Sequence, residues 1–153
     1  MHKYKWTYQT EIGAITIGAN DNSITYLKTH DTCEGEFKET DLIRDAYLQL
    51  MEYLASKRKS FDLPLEPKGT EFQKQVWYAS CEILYGETMT YKGLAEQIGK
   101  PKAIRATGTA NGKNPIYIVI PCHRVIGSDG SLTGYGGGLD MKEKLLKLEG
   151  AEF

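Results

Sequence analysis

Apolar and polar positions alternate along the first third of the chain in the two-residue rhythm of strands. Tyr4, Trp6 and Tyr8 form one run, residues 14–17 a second and residues 24–27 a third. Gly13 and the Asn20-Asp21-Asn22 cluster supply turns between them, so the pattern predicts a small antiparallel meander. A polar stretch follows from 29 to 38, and then the spacing changes. Leu42, Ile43, Ala46, Tyr47, Leu50 and Leu54 recur at helical intervals, which predicts an amphipathic helix laid on the sheet. Residues 61–69, with Pro64 and Pro67, read as a linker or extended crossing.

Helical periods dominate thereafter. Thr70-Glu71-Phe72-Gln73 is a capping box, in which the Thr70 hydroxyl and the Gln73 amide satisfy otherwise orphaned backbone amides. Phe72, Val76, Trp77, Ser80 and Ile83 then mark a core-facing stripe. Tyr91, Leu94, Ala95 and Ile98 predict a shorter helix stopped by Gly99, and Lys100-Pro101 turns the chain, with Pro101 suited to a first helical position. A second short helix from Lys102 to about Ala110 completes a helix-turn-helix outline. Residues 114–120 read as a buried strand leading into Pro121-Cys122-His123-Arg124. A last helix opens at Asp140, with Met141, Leu145 and Leu148 on its inner face and Gly150 as its stop. The elements predict an α+β chain of two parts: an N-terminal α/β domain over 1–67 and a mostly helical domain over 68–153.

The second short helix has an unusual composition. Residues 103–110 are nearly all small side chains around one arginine, Arg105. A major-groove reader needs long polar side chains to reach base edges. Small ones let the backbone approach a sugar-phosphate surface, as in a minor groove, with poor sequence specificity as the consequence. The alternative is a tightly packed helix–helix seam.

Composition narrows the function classes. The 153 residues are 41% hydrophobic and 25% charged, which suits a globular chain with a real core. The net charge of −1 excludes a polybasic tail protein. It hides an asymmetry, since residues 1–67 sum to −3 and residues 68–153 to +2. Positions 97–128 hold Lys100, Lys102, Arg105, Lys113 and Arg124 with no acid, a candidate anionic contact surface or a solvated basic face. No apolar run approaches the roughly 18 residues that span a bilayer, and the start lacks a secretory pattern, so no membrane association is expected. Three cysteines without a Cys-x-x-Cys pair argue against a disulfide framework and for a reducing, cytoplasmic setting. His30 and Cys33 lie three apart without an evident second pair of ligands, so no metal is expected.

The candidate chemistry centres on Cys122. A free cysteine is usually a small buried hydrophobe. Here an imidazole adjoins it, the local charge is basic, and flanking glycines leave room beside it. Positive surroundings are expected to lower the thiol pKa and raise the thiolate fraction. An independent hint comes from Glu149, an acid in the last helical turn, where it opposes the helix dipole at a cost of about 0.3–1 kcal/mol when exposed. Local rules broken without evident gain often mark function.

Together, Pro121-Cys122-His123-Arg124-Val125, preceded by Asn114-Pro115 and followed by Gly134-Tyr135-Gly136-Gly137-Gly138-Leu139, resemble the O6-alkylguanine-DNA alkyltransferase family of direct-reversal DNA repair. The resemblance runs from about 69 to 150. The first 67 residues are similar only in outline, to the family's ribonuclease-H-like domain.

The resemblance implies that Cys122 is the alkyl acceptor, that His123 takes the thiol proton through a water, and that Glu149 orients and charge-stabilises His123. Tyr91 would donate a hydrogen bond to the departing guanine and crowd the phosphate during base rotation. Arg105 would fill the stack vacated by the flipped base, with Lys102, Ala106, Thr107, Thr109 and Lys113 also on the DNA. Asn114 would brace the turn between recognition helix and active site. The backbones of Cys122, Val125 and Gly136, with Tyr135, would frame the purine.

The implied partner is double-stranded DNA carrying O6-alkylguanine, bound from the minor groove by a monomer without a cofactor; O4-alkylthymine stays open as a second lesion. A competing reading is a catalytically silent damage sensor, a class that lacks the acceptor cysteine present here. A thiol hydrolase fits poorly, because nothing outlines an acyl-substrate groove. Tyr117 stands where relatives often carry proline, and its bulk is expected to narrow or reshape the pocket.

Overall fold

The computed structural model describes residues 2–132 and 134–153. The chain divides into two compact units, one running to Lys68 and including Pro115–Tyr117, the other comprising Gly69–Asn114 and Ile118–Phe153. The architecture is α+β.

In the first unit, β1 (Tyr4–Thr10) and β2 (Gly13–Ala19) form an antiparallel hairpin with Tyr4 opposite Ala19 and Thr10 opposite Gly13. Gly13 takes φ +99°, a conformation that suits glycine at this turn. β3 (Ile24–Lys28) continues the meander antiparallel to β2. A two-residue β4 (Glu36–Phe37) lies parallel to β1, giving the order β3-β2-β1-β4. The expected purely antiparallel sheet thus gains a parallel edge. β4 is joined to β1 by Glu36 N–H donating to the Lys3 carbonyl and Lys38 N–H to that of Lys5, and its two residues are too few to leave a periodic signature.

α1 (Asp41–Leu54) begins where the Thr40 hydroxyl accepts from Ile43 N–H. Its buried Ile43, Ala46, Leu50 and Tyr53 share the core with Ile15, Ile17, Ile24 and Leu27.

The apolar run 115–120 is not the strand its composition predicts. Leu27 N–H donates to the Pro115 carbonyl and Tyr117 N–H to the Leu27 carbonyl, so Ile116 pairs with β3 as an isolated bridge. Ile118 then takes φ +73°, costly for a β-branched residue, and the chain leaves the first unit. Tyr117 is accordingly buried in the first unit.

The second unit opens with α2 (Glu71–Ser80), whose capping box is formed by Thr70 and Gln73. β5 (Met89–Thr90) leads into α3 (Tyr91–Gln97), capped by the Thr90 hydroxyl accepting from Gly93 N–H. α4 (Ile104–Gly112) is the second helix of the helix-turn-helix. Pro101 lies in the connecting turn instead of opening α4, because Ala103 N–H bonds back to the Lys100 carbonyl and the helix starts one residue later. Cys122–Arg124 form one 3-10 turn, followed by β6 (Val125–Ile126), parallel to β5. α5 (Leu139–Leu148) closes the unit.

Buried Trp77 joins α2 to α4, its indole N–H donating to the Ala110 carbonyl at 2.8 Å. Trp77→Phe removes one of that carbonyl's two donors, the other being Lys113 N–H at 3.1 Å, and opens a cavity. The expected loss is about 2–4 kcal/mol in urea unfolding, whereas a loss below about 0.5 kcal/mol would show that the bond is dispensable.

Candidate active site

The 3-10 turn is the centre of the site. Cys122 N–H donates to the Ile120 carbonyl and Arg124 N–H to that of Pro121, which winds three successive side chains into different surroundings. Cys122 meets the end of α4 and the residues after it. Asn111 Nδ2 donates to the Cys122 carbonyl at 3.2 Å. Asn114 Nδ2 donates to Sγ at 2.9 Å and to the Ile120 carbonyl at 2.9 Å. His123 and Arg124 meet the C-terminal end of α5. His123 Nε2 lies 2.7 Å from Glu149 Oε2. Arg124 donates from Nε to Oε1 at 2.8 Å and from Nη2 to Oε2 at 3.1 Å, while its Nη1 donates to the Ile83 carbonyl at 2.6 Å.

Burial governs the electrostatics. Cys122 is 3% exposed, and that desolvation pushes its thiol up to about 11 against the opposing effects of the Asn114 hydrogen bond and the Lys142 charge. The expectation of a thiol activated by basic surroundings is therefore overturned for the free protein. Two cations lie nearby, but Arg124 is engaged with Glu149, and Lys142 is itself buried and lowered to about 8. His123 is completely buried, and burial holds it below the ordinary imidazole value although Glu149 pulls the other way. The ring is neutral near pH 7, and its Nδ1 has no hydrogen-bond partner among the described residues.

Lys142 connects the cluster to a groove. Its Nζ donates to the Val125 carbonyl at 2.6 Å and lies 3.4 Å from Tyr91 Oη. Tyr91 lines a groove of about 620 Å³ together with Arg105, Gly108, Thr109, Lys113, Tyr135 and Gly136. A second groove of about 580 Å³, along the other side of α4, is lined in part by Lys102, Arg105 and Ala106.

Sequence models of two domains match the chain. The 6-O-methylguanine DNA methyltransferase, DNA binding domain, matches residues 71–151, and the ribonuclease-like domain of the same protein matches residues 3–67. The methylated-DNA–protein-cysteine methyltransferase of Methanosarcina barkeri is 51% identical over 150 residues, covering 92% of this chain and 93% of its own. The chain belongs to this family. The Mycolicibacterium paratuberculosis member is 49% identical, covering 94% of this chain and 90% of its own. The crystal structure of Mycobacterium tuberculosis OGT in complex with DNA superposes with a TM-score of 0.87 at 44% identity, over 96% of this chain and 92% of that one.

Of the residues that the family motif marks, the structure gathers Cys122, His123, Glu149 and Asn114 in one buried cluster, and sets Tyr91, Tyr135 and Gly136 along the adjoining groove. Val125 reaches Lys142 through its carbonyl. Lys102, Arg105, Ala106, Thr109 and Lys113 are exposed. Thr107, expected on the DNA-facing surface, is completely buried, because it sits on the stripe of α4 that also buries Ala110 and Asn111. Arg124, counted in the sequence among the basic surface residues, is buried against Glu149.

Three site residues escaped the sequence reading: Arg124 as a carboxylate partner, Asn111, and Lys142. The inner face of α5 carries Lys142, Leu145 and Leu146, one position away from the expected Met141-based register.

The displaced thiol pKa has a consequence for stability. An unfolded cysteine ionises from about pH 9, while folded Cys122 resists until about 11, so the folded state loses stability as pH rises between those values. By about pH 10.5 the loss is about 2 kcal/mol relative to pH 8. Urea unfolding of the Cys122→Ala variant at the two pH values should lack this component; an identical pH dependence in both proteins would contradict the burial argument.

Proposed function

We propose that this chain carries out direct-reversal DNA repair, moving the alkyl group of O6-alkylguanine irreversibly onto Cys122, one group per molecule. The observation that supports the reading is a buried Cys122 followed in the same turn by His123, which Glu149 holds at 2.7 Å, an arrangement suited to a proton relay, next to a groove walled by Tyr91 and an arginine-bearing helix. A sensor that only bound damage would have no use for such a relay.

The chemistry follows from the geometry. With its pKa near 11, Cys122 is thiolate in only about one molecule in ten thousand at neutral pH, so a base must take the proton as the sulfur attacks. His123 presents the free Nδ1 lone pair while its Nε2–H is held by Glu149, and a bridging water carries the proton from sulfur to ring. Sγ forms a bond to the alkyl carbon, the carbon–O6 bond breaks, and its electron pair leaves with the guanine. Tyr91 Oη, backed by Lys142 Nζ, donates to that developing anion. The thioether product resists hydrolysis, which makes the transfer single-use.

Reaching the base requires flipping it from the duplex at a cost of a few kcal/mol. On this reading α4 enters the minor groove, where exposed Ala106 and Thr109 allow close approach and Lys102 and Lys113 meet phosphates. Arg105 fills the vacated stack. The protein acts as a monomer on cytoplasmic DNA, with O4-alkylthymine as a second lesion to be tested.

Incubation with O6-methylguanine duplex followed by peptide mass analysis should add about 14 Da to the Cys122 peptide, at most once per molecule. Cys122→Ala should bind DNA yet transfer nothing. Methyl on any other residue, or demethylation by that variant, would refute the assignment. Arg105→Ala should slow repair of duplex at least about tenfold more than reaction with free O6-methylguanine, reflecting the cost of flipping; equal losses on both would remove its intercalating role.

A further inference from the structure

Arg124 adjoins His123 and Glu149 and has no part in the proposed proton transfer itself. Its fork reaches both oxygens of Glu149, and Oε2 is shared with His123 Nε2. The guanidinium is fixed from behind by the Ile83 carbonyl at 2.6 Å and lies 5.8 Å from the centre of the Tyr85 ring. Glu149 is further approached by Gly86 N–H at 3.4 Å. An arginine so held has one orientation to offer the carboxylate.

We propose that Arg124 is a positioning residue for the transfer: it keeps Glu149 ionised, and the ionised carboxylate holds His123 in the tautomer whose Nδ1 is bare. The inference rests on the reading of His123 as the base.

Its logic is proton bookkeeping in a buried site. An ionised carboxylate only accepts, so Nε2 must carry the hydrogen and Nδ1 the lone pair. Without the guanidinium, the buried pair loses the cation that its carboxylate faces, and it takes up a proton at higher pH. If the proton goes to the ring, both nitrogens are protonated. If it goes to Glu149, the carboxylic acid donates to Nε2 and the ring hydrogen moves to Nδ1. In either case the lone pair on Nδ1 is lost.

The charged and titratable groups around the ring point the same way. Lys142 of α5 directs its ammonium to the Val125 carbonyl and Tyr91, and Cys122 precedes the ring in the same turn. Cys81 and Tyr85, at and beyond the end of α2, face Arg124. Both Arg124 and Lys142 oppose protonation of His123, and Glu149 favours it.

The test is the ring titration of His123 by NMR, run beside transfer rates on O6-methylguanine duplex for the full chain and its variants. Arg124→Met should raise the His123 midpoint by more than about one pH unit, and slow transfer about tenfold more at pH 6.5 than at pH 8.5. Adding Glu149→Gln to that variant should bring the midpoint back to the wild-type value or below. Arg124→Lys, which keeps a cation but not the fork, should shift the midpoint in the same direction by less, and carries the test if Arg124→Met does not fold. An unmoved midpoint with equal slowing at both pH values would overturn the proposal and leave Arg124 a packing residue. If the wild-type protein never methylates Cys122, the repair reading falls, while the ring titration still judges the Arg124–Glu149–His123 coupling.

Discussion

The carboxylate of Glu149 is the constraint on which the rest of the second unit depends. It ends α5, it is buried, and its two oxygens are divided between a guanidinium and an imidazole from one tight turn. Placing a carboxylate at a helix C-terminus works against the dipole, and burying it costs several kcal/mol more unless it is paired. Arg124 supplies that pairing. The same contacts fasten α5 to the 3-10 turn, so the helix end, the turn and the thiol are positioned by one set of hydrogen bonds. The loop after α2 joins them, through the Ile83 carbonyl on Arg124 and the Leu148 carbonyl accepting from Tyr85 at 3.4 Å.

A consequence of this packing is that the thiol is quiet until it is needed. A nucleophile that stood ionised in the free protein would be open to any electrophile. Desolvation holds Cys122 protonated, with Asn114 braced against its sulfur and Lys142 near enough to favour the thiolate without prevailing. Lys142 serves two surroundings, since it also contacts the phenol of Tyr91 on the groove wall. The nucleophile's side and the leaving group's side of the proposed transfer are thereby linked through a single buried ammonium. Catalysis then requires differential stabilisation as charge moves from sulfur to purine, in place of a standing reservoir of thiolate.

Much of this was legible in the sequence, for definable reasons. The capping box at Thr70–Gln73 and the stripes of α1 and α2 are local signals, and they appear where the periodicity puts them. Cys122 and His123 are visible as chemical neighbours, and Glu149 as a violation of helix electrostatics. Lys142 was hidden because its partners are distant in sequence, although Lys142, Leu145, Leu146 and Glu149 follow helical spacing and two charged residues on that stripe were a readable warning. Arg124 looked like a surface cation because composition carries no information about pairing. The apolar run after Asn114 carries the signature of a strand because periodicity does not separate a buried strand from an irregular buried crossing, and β4, β5 and β6 are too short to have a period at all. The resemblance puts Thr107 on the DNA with Arg105, Ala106 and Thr109, whereas the helix turns it inward.

The central claim, that Cys122 is a protonated, buried thiol whose ionisation belongs to the reaction and not to the resting protein, is tested most directly by titrating its Cβ resonance in the DNA-free protein. The account predicts a midpoint well above the ordinary cysteine value, near 11. A midpoint at or below about pH 7.5, the range of thiols activated by their surroundings, would contradict it.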